Sequence, residues 1–483
     1  MFTKVTETIG NHNMPGNRPL SAQGLAIAIL AATGMLTSLQ FTLVVPSLPA
    51  MATSLDISTN DAAWLITITL LTATAGTPIL TRMADMYGRR RLLLISLTLL
   101  VLGSVIAALG MTFPTALIGR ALQGFATSII PIGISLLRDQ LSPERASSAI
   151  ALMSATLGMG SAAGLLLSGL LSQNLGIAAL FWFSAIAGTI ASIGVLLTVS
   201  ESGAHTGGRF DLVGAMILTI ALTCILLVIS KGLVWGWTSG RFLSVAAVGI
   251  VALIVWVPLQ LRHPNAVIDL RTSFRRPVLQ TNLATFFAAA GMFGNHLLTV
   301  HEVQAPVGTG AGLALSPINA GLTMIPAAIA MVALAPVAGL LLKRFGGRPV
   351  LALGSLIMSL SFVFRLLTHD ELTTVMTGAT LVGVGTALSF AAMPTLIMSY
   401  VPPTESASAN GINSLVRSLS GAAASAVFAL LVSVFAVSAG GAEFLSDTGL
   451  TIAYTVIAAS CGIAALLAIL LPSTRSESGN VAT

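Results

Sequence analysis

"ADMYGRRRLLL", Ala84 to Leu94, decides how this chain is read. An acid, a glycine and three consecutive arginines follow one apolar run, 61–81, and lead straight into another, 92–111. Each run has about the 20 residues that a helix needs to cross the hydrocarbon core of a bilayer. The basic turn between them belongs at a membrane surface, on the side where Lys and Arg accumulate.

Working outward from that turn, fourteen runs meet the length test, from 24–45 at one end to 450–471 at the other. Lipid offers no water to unpaired backbone groups, so only helices or a closed barrel span it. Runs this long and continuous exclude the barrel. The expected fold is an all-α integral membrane protein with fourteen transmembrane helices. With the start of the chain inside, seventeen Lys and Arg fall on the inner side and two, Lys231 and Arg241, on the outer. The other three, Arg120, Arg365 and Arg417, lie within runs. This asymmetry places both termini in the cytoplasm and the chain in the cell membrane.

Composition agrees. Charged residues make up 8% of the 483 and hydrophobic residues 55%, with mean hydropathy +0.95, whereas soluble domains carry about 25% charge. A surface so poor in charge faces lipid. The net charge of +6 does not point to nucleic acid, because the basic residues sit in the breaks between runs. Cys224 and Cys461 both lie inside runs and read as packing residues rather than a disulfide. The polar start, 1–23, precedes a run too long for a secretory h-region, so that run reads as a retained span. No Walker loop and no Cys/His metal cluster occurs. Neither a catalytic residue nor a cofactor is expected.

The basic turn recurs. "LKRFGGRPVLAL", Leu342 to Leu353, follows the tenth run and repeats an aromatic, Gly, one residue, Arg: Phe345, Gly346, Arg348 against Tyr87, Gly88, Arg90. If each turn closes the second helix of a six-helix unit, the organisation is a cytoplasmic tail 1–23, a bundle 24–199, two inserted helices 212–261, a second bundle 278–471 and a tail 472–483. Repeated helical halves with a site between them are a transporter arrangement.

At these residues the chain resembles the major facilitator superfamily, in particular its fourteen-span drug:proton antiporter branch. "TRMADMYGRR", Thr81 to Arg90, is similar to the superfamily signature G-x-L-A-D-R-x-G-R-R, matching at Asp85, Gly88, Arg89 and Arg90. "RALQG", Arg120 to Gly124, resembles the branch's R-x-x-Q-G, and "RFDLVGA", Arg209 to Ala215, its entry to the extra spans. "NGINSLVRSLSGA", Asn410 to Ala422, resembles its thirteenth span, with Asn413 and Arg417 in place. Two departures stand out. The branch's L-D-x-T of the first span reads "LQFT", with Gln40 for the acid. Its G-P-x-x-G-G of the fifth span reads "GSAAGL", Gly160 to Leu165.

The resemblance implies a major facilitator fold and proton-coupled efflux of an amphipathic drug or metabolite, with antibiotic resistance as the phenotype. It also implies an inner gating loop at Asp85, Gly88, Arg89 and Arg90. Two rivals remain: an uncoupled facilitator or exporter of one metabolite, and a membrane sensor reusing the fold. The chain is expected to act as a monomer.

Helical spacing puts Gln123 and Gly124 on the face of Arg120. Arg120 and Gln40 each lie about five residues, roughly 8 Å, below the outer ends of their spans. The two are expected to meet, because a charge in lipid is expensive and must face inward. Gln40 offers Arg120 an oxygen but can neither neutralise it nor release a proton. For an acid the chain offers "HLLTVHEVQ", His296 to Gln304, at the outer end of the ninth run. His296, His301, Glu302 and Gln304 are candidates for the cavity or for proton coupling. If that helix runs a turn past 300, Glu302 approaches the cavity mouth near the level of Arg120; otherwise it belongs to a wet outer loop. Gly160, Gly164 and Ser168, every fourth residue, are expected to pack helices closely, as is Gly124. Asn413 and Arg417, toward the inner end of the thirteenth span, are expected to be structural or gating.

Overall fold

The structure is a computed structural model that describes residues 20–44, 47–62, 64–201, 207–309, 312–368, 371–439 and 442–472. Most of the two tails assigned to 1–23 and 472–483 lies outside the described residues. In chain order, α1 (Leu20–Thr42) leads through short α2 (Leu48–Ser54) and α3 (Thr59–Ala62) to α4 (Trp64–Tyr87) and α5 (Arg89–Gly110). Next, α6 (Phe113–Gly124) and α7 (Ile129–Gln140) are joined by one 3-10 turn, Phe125–Ser128, into a single span. After these come α8 (Pro143–Leu175), α9 (Ala178–Thr198), α10 (Leu212–Trp235), α11 (Gly240–Arg262), short α12 (Leu270–Ser273) and α13 (Arg276–Gln304). The last set is α14 (Pro317–Thr323), α15 (Ile325–Ala333), α16 (Ala335–Phe345), α17 (Gly347–Leu367), α18 (Leu372–Tyr400), α19 (Ser406–Phe435) and α20 (Asp447–Ile469).

Among the described residues, twelve helices are long and apolar enough to cross a membrane, and fourteen if two bent segments each count as one span. Those two are α8 and the α14–α16 segment, each bent by 42°. The run 317–341, read as one helix, is thus three. Pro326 and Pro336 each stand in the first turn of α15 and α16, where the missing N–H does no harm, and each marks where the preceding helix stops. The fold is all-α across the membrane, as expected, with one short hairpin outside the spans. Between α19 and α20 stand two four-residue strands, β1 (Ala436–Ala439) and β2 (Ala442–Leu445), paired antiparallel with Ala436 opposite Leu445. The outer surface is apolar, as lipid requires: Leu109, Leu175, Leu197 and Leu367 are all exposed.

The two basic turns share a backbone as well as a sequence. Gly88 (φ +115°) and Gly346 (φ +78°) lie in a region that side chains rarely adopt, and each joins two helices with no other connection. The helix pair after each turn is packed the same way. A Cβ on Gly103 or Gly119 would strike the other's carbonyl across α5 and α6. Gly354 and Gly385 meet likewise across α17 and α18.

Gly160 and Gly164 bring α8 against α1. A Cβ on Gly160 would lie 2.3 Å from the Met35 carbonyl, and one on Gly164 2.6 Å from that of Leu39. The close approach lets hydroxyls zip the pair: Ser38 Oγ donates to the Leu157 carbonyl at 2.6 Å, Thr42 Oγ1 to that of Ser161 at 3.1 Å, and Ser47 and Ser168 share a bond of 2.6 Å. A Gly160→Val variant is expected to lose several degrees of thermal midpoint in detergent, because the obstructing atoms are backbone and cannot swing away; overpacking of this kind costs about 1–3 kcal/mol. Gly169→Ala on the same helix, where a Cβ meets nothing within 4 Å, is the control. Equal midpoints for the two variants would contradict the close packing.

Where the first and last groups of helices meet, α4 and α7 pack on α19, and α8 packs on α15, α16 and α18. The α10–α11 pair lies outside this seam, with α10 resting on both α4 and α19. Asp211 caps α10 through the Gly214 N–H and also takes the Gln260 amide of α11, at 2.8 and 2.6 Å.

Candidate functional site

Among the described residues, buried polar groups gather at four places, the first three being two within single groups of helices and one across the seam, and the fourth lying around Asn413. In the first group, Arg120 projects from α6 and is fully buried. Its Nη1 donates to Gln40 Oε1 (3.1 Å), to the Gln40 carbonyl (3.2 Å) and to Gln123 Oε1 (2.8 Å), and its Nε to the Leu65 carbonyl (3.2 Å). Gln123 in turn donates to Ser104 Oγ at 2.7 Å. The guanidinium of the fourth span therefore does meet the amide of the first. No carboxylate acts on Arg120, and its Nη2 is buried without a partner. Gly124 lies one turn on, where a Cβ would strike Thr72 and the Thr69 carbonyl of α4.

Across the seam, Asp85 and Arg89 form a latch. Asp85 Oδ1 accepts from Arg89 Nη2 (2.7 Å) and from the Ala407 N–H (3.2 Å). Its Oδ2 accepts from the Ser408 N–H (2.7 Å) and Oγ (2.5 Å). Arg89 donates onward to Asp139 and, at 2.6 Å, to the Pro403 carbonyl. Asp85 thus caps α19, which begins at Ser406, and a carboxylate is the group that a helix N-terminus holds best. Both side chains are fully buried. Gly88 provides the turn, and Arg90 is turned away to the Leu196 carbonyl. The backbone N–H groups of Arg90 and Arg91, at the start of α5, bond Glu201.

The third place was not read from the sequence. α13 does continue to Gln304 and Glu302 is buried, but its partner is not Arg120. Its Oε2 accepts from Arg365 Nη2 of α17 at 2.5 Å and from the Tyr454 hydroxyl of α20. Arg365 Nη1 reaches Asn295 Oδ1 (3.0 Å) and Thr299 Oγ1 (2.8 Å), and the guanidinium lies 4.7 Å from the centre of the Tyr454 ring. The idea of Glu302 paired near Arg120 is therefore corrected: α13 turns residues 295, 299 and 302 toward α17 and α20, away from the first group of helices. One sign was readable, since these three residues share a helical face and Arg365 is a lone charge in an apolar run.

Neighbouring candidates separate. His301 Nε2 accepts from the Leu445 N–H of β2 at 2.9 Å, with its ring between Phe428 and Phe444. His296 and Gln304 are half-buried and join no hydrogen bond among the described residues. Asn413 donates to Asn282 Oδ1 (3.0 Å) and Thr285 Oγ1 (2.9 Å) and accepts from Arg417 Nη1 (2.8 Å). Arg417 is the twelfth residue of α19, about 17 Å from its first turn. Asn413 and Arg417 both lie in the half of α19 nearer Asp85.

Two groups of membrane helices with a buried polar seam between them are the arrangement of a membrane transporter. The chain belongs to the Major Facilitator Superfamily, whose family profile matches residues 30–305 and 281–483. It is 29% identical over 420 residues to the multidrug resistance protein Stp of Mycobacterium tuberculosis, covering 84% of this chain and 75% of that one. It is 28% identical over 433 residues to the putative multidrug resistance protein MdtD of Escherichia coli, covering 88% of each. Its fold matches the crystal structure of the human organic anion transporter MFSD10 with a TM-score of 0.67 and 15% identity, over 93% of this chain and 100% of that one.

Proposed function

We propose that this transporter exports amphipathic drugs or metabolites from the cell in exchange for protons, by alternating access, as a single chain in the cell membrane. The Asp85 end is cytoplasmic in this reading, as are both termini. The rocking units are the six-span bundles 24–199 and 278–471, with 212–261 inserted between them. The observation that carries it is the latch: a buried carboxylate of one bundle caps a helix of the other, a contact that rocking would break and remake. Extensive packing between α1 and α13 is lacking among the described residues, which suits a form closed at the Asp85 end. The drug class is supported by relatives of modest identity whose names are those of multidrug resistance proteins.

A second reading, export without proton coupling, is favoured by one feature: Arg120 is met by amides where the branch has an acid. Gln40→Asp would place a carboxylate within reach of the guanidinium. The test is a substrate panel in a pump-deficient strain, comparing the parent with Arg120→Ala and Gln40→Asp. Efflux is expected to fall at least several-fold in Arg120→Ala, and Gln40→Asp is expected to add resistance to dications. A parent that extrudes nothing in the panel would end the efflux reading. In proteoliposomes, substrate-driven alkalinisation of the lumen separates coupled from uncoupled export.

A further inference from the structure

Five arginines are buried among the described helices; Arg82, near the end of α4, has Glu405 acting on it, and the other four fall into two kinds. Arg89 and Arg365 are each paired with an acid. Arg120 and Arg417 have none: no carboxylate acts on either, and neither joins an ion pair among the described residues. Uncompensated buried charge is costly, and in membrane spans it marks function more often than support.

Arg417 is the more open of the two. It is 8% exposed against 0% for Arg120. Its place is fixed by groups that orient it without neutralising it. Asn413 takes one N–H of Nη1 and is itself held by Asn282 and Thr285 of α13. The guanidinium lies 5.5 Å from the centre of the Phe390 ring of α18. The other four N–H groups have no acceptor among the described residues, so a fork suited to two oxygens of one anion stays unused. The opposite face of α19 is spent on α4, where Gly411 abuts Thr81.

We propose that Arg417, held by Asn413 and Phe390, is an anion-binding group within the bundle, and that it takes the carboxylate, sulfonate or phosphate head of an amphipathic substrate. The inference rests on the transport reading above and names the substrate class. A small inorganic anion such as chloride shares the chemistry.

The test uses the full chain in lipid nanodiscs and two probes that differ by one group. Anilinonaphthalene sulfonate carries an anionic head, and phenylnaphthylamine is the same skeleton without it. Binding is measured above that of empty nanodiscs. The parent is expected to bind the sulfonate about tenfold more tightly than the amine, the scale of one lost charge-assisted contact. Arg417→Gln is expected to lose that advantage while holding the amine within about twofold. Arg417→Lys, which keeps the charge, is expected to retain part of the advantage and guards against a glutamine variant that does not fold. Replacing chloride by gluconate separates the sources: a thermal midpoint that falls in the parent but not in Arg417→Gln assigns the site to the inorganic ion. An undiminished sulfonate advantage in Arg417→Gln, or no advantage and no chloride effect in the parent, overturns the proposal. The failures are distinguishable. A parent that shows no sulfonate preference yet exports neutral compounds sinks only the anion site, and a preference that depends on Arg417 in a parent without efflux sinks only the transport reading.

Discussion

Arg365→Met, with Glu302 left in place, is expected to destabilise the second group of helices by about 3–5 kcal/mol, seen as a thermal midpoint lower by roughly 10 °C. Both side chains of the pair are fully buried. Glu302 has one oxygen bonded by Arg365 and Tyr454 and the other, Oε1, bonded by nothing. Removing the guanidinium leaves a carboxylate in an apolar interior with a single phenol to meet it. It also takes a donor from Asn295 and Thr299, which both bond Arg365 Nη1 and are left with their bond to each other. The double variant Glu302→Gln with Arg365→Met buries no unpaired charge and is expected to recover most of the loss. Tyr454→Phe removes one donor and is expected to cost about 1–3 kcal/mol. A midpoint for Arg365→Met equal to the parent's would show that this pair does not support the helices around it. So would a double variant less stable than either single one, because the cycle isolates the coupling between the two residues.

That cluster also marks the limit of what could be read from the chain. The spans were legible because lipid imposes a length and excludes charge, so apolar runs and basic breaks carry the topology. The contact of Gln40 with Arg120 was legible because two depths along two helices could be compared by a fixed rise per residue. The partner of Glu302 was not. Arg365 stands near the end of its run, where a long cation ordinarily reaches back to the interface, and Tyr454 lies 152 residues from Glu302. Which face of α13 turns toward α17 and α20 follows from how six helices pack, not from any local pattern. His301 was counted among the candidates for the cavity or proton coupling, yet it accepts the Leu445 N–H from a strand pair that apolar periodicity did not suggest. The break of the tenth run was in view, since Pro326 and Pro336 are plain in the sequence, but a run long enough to span was read through them.

Asp85→Ala is expected to open the Asp85 end of the bundle and to cut efflux at least tenfold. The carboxylate receives two backbone N–H groups and one hydroxyl from the start of α19, and it also holds Arg89. Hydrogen bonds to a charged group contribute about 1.5–3 kcal/mol each. Losing the set removes more than the roughly 3 kcal/mol that shifts a two-state equilibrium a hundredfold. In the variant, Arg89 keeps Asp139 and the Pro403 carbonyl, so the loop stays anchored and one bond across the seam survives while the carboxylate cap of α19 goes. Asp85→Asn leaves an oxygen for the α19 N–H groups but no charge, and should fall between the two. The readout is a cysteine placed at Ser414, two turns into α19 and buried, in a chain whose Cys224 and Cys461 are replaced by alanine. A membrane-impermeant maleimide applied to inside-out vesicles is expected to label it slowly in the parent and at least tenfold faster with Asp85→Ala. Were Asp85 only part of a basic surface anchor, the labelling rate would not change, because topology depends on the arginines and all of them remain. Faster labelling with undiminished efflux would be the more damaging result: the seam would open without consequence, and the alternating cycle that gives the latch its purpose would have to be abandoned.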